Sequence, residues 1–180
     1  LEAAAALAQQ RAESVAEAKA EAEAAARRHE ESAAALGTLL AGGYTLIASL
    51  LVQNLRKATF HPPLYLQALT LLHKLLVAQH RASQKLPLLK WSEVWNALFT
   101  TSDFISHDDV FNGRGVAEVG LRVLELINLL ITLGDSLLPS SATFEAFAYE
   151  LVRRHRTFEK LYRVSRKAAP RLINQKRHFV

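Results

Sequence analysis

The sequence predicts an all-α fold, a helical bundle or short α-solenoid with a long Ala/Glu-rich N-terminal helix. Three observations carry that reading. Glycine (7) and proline (5) are scarce in 180 residues, so few positions interrupt a helix. Runs of alternating β-branched residues are missing, which removes most of the case for a sheet. The apolar segments repeat with helical spacing, most plainly in Val116 to Pro139, where nine of the thirteen residues from Leu121 to Leu133 are Leu, Ile or Val.

Residues 1–37 hold sixteen alanines among Glu, Gln and Arg, a composition that favours helix locally. Their large apolar residues Leu1, Leu7, Val15 and Leu36 form no stripe, so the segment reads as an exposed helix ending near Gly37. Gly42 and Gly43 open a second segment, Tyr44 to Lys57, with Leu46, Ile47, Leu50, Leu51 and Leu55 at helical spacing. His61-Pro62-Pro63 marks a corner, because proline is tolerated in the first turn of the helix that follows, Leu64 to about Ala82. Trp91, Val94, Trp95, Leu98 and Phe99 then fit i, i+3, i+4, i+7, i+8, an amphipathic helix. Residues 106–115 are polar and turn-forming.

The central helix follows. Glu118, Arg122, Glu125, Asn128 and Thr132 share one narrow seam and the rest of its circumference is apolar, the pattern of a helix buried on most sides. Arg122, Glu125 and Asn128 fall inside the apolar run, which argues against a membrane span. Gly134 suits a left-handed C-cap and Pro139 bars continuation. One last long helix starts near Ser141 or Thr143. Phe144, Phe147, Leu151, His155, Phe158 and Tyr162 trace its expected buried face, and Pro170 ends it.

Charge divides the chain unevenly. Residues 1–37 carry seven Glu against four Lys/Arg, 38–149 balance at eight each, and 150–180 hold ten Lys/Arg against two Glu. The expected layout is therefore an Ala/Glu-rich helical or disordered extension (1–37), a helical domain (38–168) and a basic tail (169–180). Cysteine is absent, which leaves no disulfide and no thiolate metal site. The chain begins with leucine and holds no methionine, the look of a piece of a longer protein.

Helix centres near residues 72, 97, 125 and 153 lie 25–28 residues apart. Paired, they give a unit of ~50 residues, near the HEAT/armadillo class. Three stretches then carry a resemblance: L-Y-L-Q-A-L-T-L-L-H-K-L-L-V-A-Q (64–79), W-S-E-V-W-N-A-L (91–98), and I-N-L-L-I-T-L-G-D-S-L-L-P with F-A-Y-E-L-V-R-R-H-R-T-F-E-K-L-Y (127–139, 147–162). Over about residues 60–165 their order and spacing resemble the C-terminal domain of the armadillo-like helical domain-containing protein 3 family. The W-x-E-x-W start and the T-x-G-D-x-x-L-P turn are the most specific parts. The Ala/Glu-rich start has no counterpart in the family pattern. The resemblance implies a non-catalytic scaffold, cytoplasmic and peripheral at the Golgi membrane, associated with a phosphatidylinositol 4-kinase and Arf-like small GTPases.

Chemistry read from the residues agrees with a non-enzyme. No G-x-S-x-G elbow, cysteine nucleophile or phosphate-binding glycine pattern occurs. Asp103, His107, Asp108, Asp109 and Asn112 could approach a cation, but they lack the alternation of an EF-hand loop and read as a hydrated turn. His73 and His80, two turns apart, read as boundary histidines that hydrogen-bond a neighbouring helix. Trp91 and Trp95 read as core. No catalytic, cofactor or metal residues are expected. The candidate site is a basic stripe at 3-4-3-4 spacing, Arg153, Arg156, Lys160, Arg163 and Lys167, suited to a protein partner or an anionic membrane surface. A nucleic-acid-associated helical repeat is the alternative, weakened because no aromatics are interleaved on the basic side.

Overall fold

The computed structural model describes residues 2–53, 55–56, 58–107, 110 and 115–163, with side chains given from residue 17 onward. Among the described residues the chain is helical and contains no strand. The helices are α1 (Glu2–Gln53), α2 (Pro62–Arg81), α3 (Trp91–Ile105), α4 (Val116–Leu137), α5 (Ser141–Arg153) and α6 (residues 155–163). Two compact units divide at Leu39 and Leu40.

In the first unit every described side chain from residue 17 to 36 is exposed, as expected of a segment without an apolar stripe. The expected end at Gly37 and restart at Gly42 and Gly43 are corrected, because α1 runs unbroken through all three glycines. Each glycine costs a helix ~1 kcal/mol relative to alanine, and that does not break it. From Leu40 onward packing opposes the cost, with Tyr44, Ile47, Ala48 and Leu51 all buried.

In the second unit, residues 40–180, α2 packs along α4, α3 packs against α4, and α5 meets both α3 and α4. Prolines at the first two positions of α2 preset its opening dihedrals. The polar seam of α4 falls as expected: Glu118, Glu125, Asn128 and Thr132 are exposed while Val119, Val123, Leu126, Ile127 and Leu130 are buried. Its expected stop is corrected. Gly134 is not a C-cap but a buried residue inside the helix, which continues to Leu137. A Cβ at Gly134 would lie 2.5 Å from the Phe144 ring, so the glycine is there to admit the aromatic of α5. Ser140, rather than Ser141 or Thr143, caps α5, its Oγ accepting from the Thr143 N–H at 3.3 Å.

One buried polar network ties three helices together. The Tyr44 hydroxyl donates to Gln79 Oε1 at 2.8 Å, and Gln79 Nε2 donates to the Leu137 carbonyl at 3.1 Å. That carbonyl belongs to the last turn of α4, where no intrahelical donor remains to pair it. Within residues 17–53 of α1 one 18-residue window is apolar enough to cross a membrane by length and composition. The Tyr44 hydrogen bond and the buried Ile47, Ala48 and Leu51 are contacts of a bundle helix.

Candidate interaction surface

The last helix of the sequence reading is two helices. After α5 ends, Arg154 takes φ −99°, ψ 18°, and α6 begins with the Thr157 N–H on the Arg154 carbonyl at 3.0 Å. The side chain of Arg154 turns inward. Its Nη1 donates to Asp103 Oδ2, its Nε sits 3.6 Å from Glu150 Oε2, and its guanidinium lies 5.5 Å from the centre of the Phe99 ring. Thr157 donates to the other oxygen of Asp103 at 2.6 Å. One carboxylate on α3 therefore grips residues on both sides of the break.

That grip corrects the expected buried face. His155 and Tyr162 are exposed, and Leu161 is buried instead, with Phe147 fully buried and Phe144, Leu151 and Phe158 half-buried. The inner stripe runs 147, 151, 154, 158, 161, still at helical spacing but with an arginine in the middle. The expected face held His155 and Tyr162, and an arginine is seldom turned inward without a partner. The partner was Asp103, assigned to the hydrated turn. Of that turn, His107 is exposed, and Asp108, Asp109 and Asn112 lie outside the described residues. Among the described residues no three His, Asp or Glu converge on a metal position.

The basic stripe is interrupted between its first two members. Arg153 is on α5, beside Glu150 at 3.4 Å, and it borders a groove of 720 Å³ between α3 and α5 that Trp95, Asn96 and Tyr149 also line. Arg156, Lys160 and Arg163 are exposed on α6, and Lys167 lies outside the described residues. Arg163 donates to Glu159 at 2.6 Å, and that hydrogen bond, with the arginine's charge, holds the Glu159 carboxyl below its ordinary range. Among the described residues no ion pair involves Arg156 or Lys160, so these two are the open cations of the stripe. His80 behaves as expected, its Nδ1 within 2.9 Å of Ser136 Oγ on α4.

The family model described as armadillo-like helical domain-containing protein 3, C-terminal, matches residues 44–179. The chain belongs to this family. Proteins of that name are similar to it in Homo sapiens (29% identity over 141 residues), Danio rerio (28% over 141) and Xenopus laevis (29% over 141). Each alignment covers 75% of the chain but only 20% of the relative, so the chain spans about a fifth of the length of the relatives it matches. No solved structure matches it. The family match starts at Tyr44, the first of the described side chains of α1 to be fully buried.

A second surface was missed from the sequence. Leu46 on α1 and Leu64 and Leu71 on α2 are exposed, although all three sit in apolar helical segments. The signal was available in the charge order, because no Asp or Glu occurs between Glu31 and Glu93.

Proposed function

We propose that this chain is a non-catalytic scaffold or adaptor module that binds protein partners at an anionic membrane surface. Its membership of the armadillo-like family supports a helical protein-interaction module. The finer reading follows the resemblance: a cytoplasmic protein peripheral at the Golgi membrane, with a phosphatidylinositol 4-kinase and an Arf-like small GTPase as partners. The observation that carries the membrane part is the pair of open cations on α6, Arg156 and Lys160, in a segment where ten Lys/Arg face two Glu. Near an anionic leaflet each such cation contributes about 1 kcal/mol.

Salt dependence alone would not separate this from nucleic-acid binding, because both are electrostatic. A side-by-side titration of the chain with phosphoinositide-containing liposomes and with a single-stranded RNA would. Recruitment to liposomes without measurable RNA affinity is the expected result. Tight RNA binding with no liposome recruitment would replace the reading with the nucleic-acid one.

A further inference from the structure

Within the unit spanning residues 40–180, the seam between α1 and α2 has an uncovered apolar strip. A Cβ at Gly43 would lie 3.6 Å from Leu75 Cδ1, so the two helices meet through side chains at this point. Leu46 and Leu50 follow Gly43 by three and seven residues, and Leu71 and Leu64 precede Leu75 by four and eleven. Helical spacing keeps these residues on the seam side of their helices. Leu46 is 73% exposed, Leu71 50% and Leu64 37%, while Leu50 and Leu75 are half-buried. Here α1 has two apolar faces. The one holding Tyr44, Ile47 and Leu51 is buried in the bundle, and the one holding Leu46 faces out.

The edge of this strip is cationic. Lys74 and Arg81 are exposed on α2, and two shallow hollows along that helix, of 350 and 610 Å³, share Lys74. Leu71 lines the first, and Ala78 and Arg81 line the second. No acidic residue stands on either helix from Leu40 to Arg81 to neutralise them.

We propose that the α1–α2 seam is a docking groove for an amphipathic helix of a protein partner whose polar edge is acidic. The proposal rests on the protein-interaction reading above. Helix-in-groove recognition needs an apolar trough that accepts side chains at i, i+3, i+4 and i+7. Leu46, Leu64 and Leu71 offer that apolar surface, and Lys74 and Arg81 on α2 favour an acidic edge on the helix that covers it. A second copy of this chain would set Lys74 and Arg81 against the same cations, with no acid to offset them. The acidic residues 1–37 carry no apolar stripe to lay into the groove.

The test uses the full chain and a fluorescent helical peptide of about 18 residues, with leucines at i, i+3, i+4 and i+7 and glutamates along its edge. A twin peptide carries lysine in place of each glutamate. By anisotropy the Glu-edged peptide should bind at least about tenfold more tightly than its twin. The double variant Leu46→Gln/Leu71→Gln should abolish binding with an unchanged melting curve, and Lys74→Glu/Arg81→Glu should reverse the preference between the peptides. The α6 variant Arg156→Gln/Lys160→Gln should bind the peptide normally, which separates this groove from the membrane surface proposed above. Equal binding of the two peptides, or binding indifferent to Leu46 and Leu71, overturns the proposal. Leucine-dependent sedimentation with phosphatidylserine vesicles, or a leucine-dependent dimer in analytical ultracentrifugation, overturns it in favour of a bilayer or a second copy.

Discussion

At the scale of single residues the buried hydroxyls of Tyr44 and Tyr65 separate two situations. Tyr44 donates to Gln79, whereas the Tyr65 hydroxyl has no hydrogen-bond partner. Removing one partner of a buried hydrogen bond costs about 1–3 kcal/mol, because the group left behind is unsatisfied. Tyr44→Phe should therefore lower stability by that amount in chemical denaturation, and Tyr65→Phe should be close to neutral. Burial raises both phenols, Tyr65 to about 12 and Tyr44 further still. Both stay neutral in the folded state while the unfolded phenols ionise near pH ~10. Their contribution is thus complete below that pH and is lost as pH rises through the folded values, and the alkaline fall should be shallower in Tyr44→Phe. Glycines divide in the same way. Gly42 meets open space, so Gly42→Ala should stabilise the helix by up to ~1 kcal/mol. Gly134→Ala would press on the Phe144 ring and should cost about 1–3 kcal/mol despite the better helix former. A melting curve for each variant decides it. No sequence pattern could tell these glycines apart, since the difference lies in which helix crosses each one.

Whole elements were legible where one face is buried and the other is wet. The extents of α2 and α3, and the polar seam of α4, followed from the spacing of Leu69, Leu72 and Leu76, of Trp91, Val94 and Trp95, and of Glu118 through Thr132. What failed were the ends. Glycine was taken as punctuation at residues 37, 42 and 134, and in each case the helix continued because its neighbours are strong helix formers or are packed. The break at Arg154 was hidden for a different reason: it depends on a carboxylate 51 residues away. Asp103→Ala would leave Arg154 with Glu150 alone and Thr157 with nothing at that position. A loss of about 0.5–1.5 kcal/mol follows, because these groups are part-buried and water can replace the lost partner. Hydrogen exchange should rise first in residues 155–163, because the grip on α6 is what Asp103 supplies. Uniform exchange across α3 and α6 would mean the break does not depend on this residue.

For the molecule as a whole, the all-α class and the family were both readable, the first from composition and periodicity, the second from the W-x-E-x-W start and the T-x-G-D-x-x-L-P turn. The candidate surface was readable only in part. Charge order located a basic C-terminal segment, but which of its cations are paired, and where the helix breaks between Arg153 and Arg156, are properties of tertiary packing. Stability should be divided as burial is. Deleting residues 1–36 should leave the melting temperature nearly unchanged, since the described side chains there are exposed. Leu130→Ala, at a position 2% exposed on α4, should cost about 2–5 kcal/mol. Equal losses from the two would show that the Ala-rich segment is docked.

The central claim is that the open cations of α6 bring this helical module to an anionic membrane. Liposome flotation of the triple variant Arg156→Gln/Lys160→Gln/Arg163→Gln tests it most directly. At most about 3 kcal/mol is at stake if all three touch the surface, and these exposed changes should each move folding by less than about 0.5 kcal/mol. The account predicts lost recruitment to phosphoinositide liposomes with an unaltered melting curve. Full recruitment of a folded triple variant would contradict it.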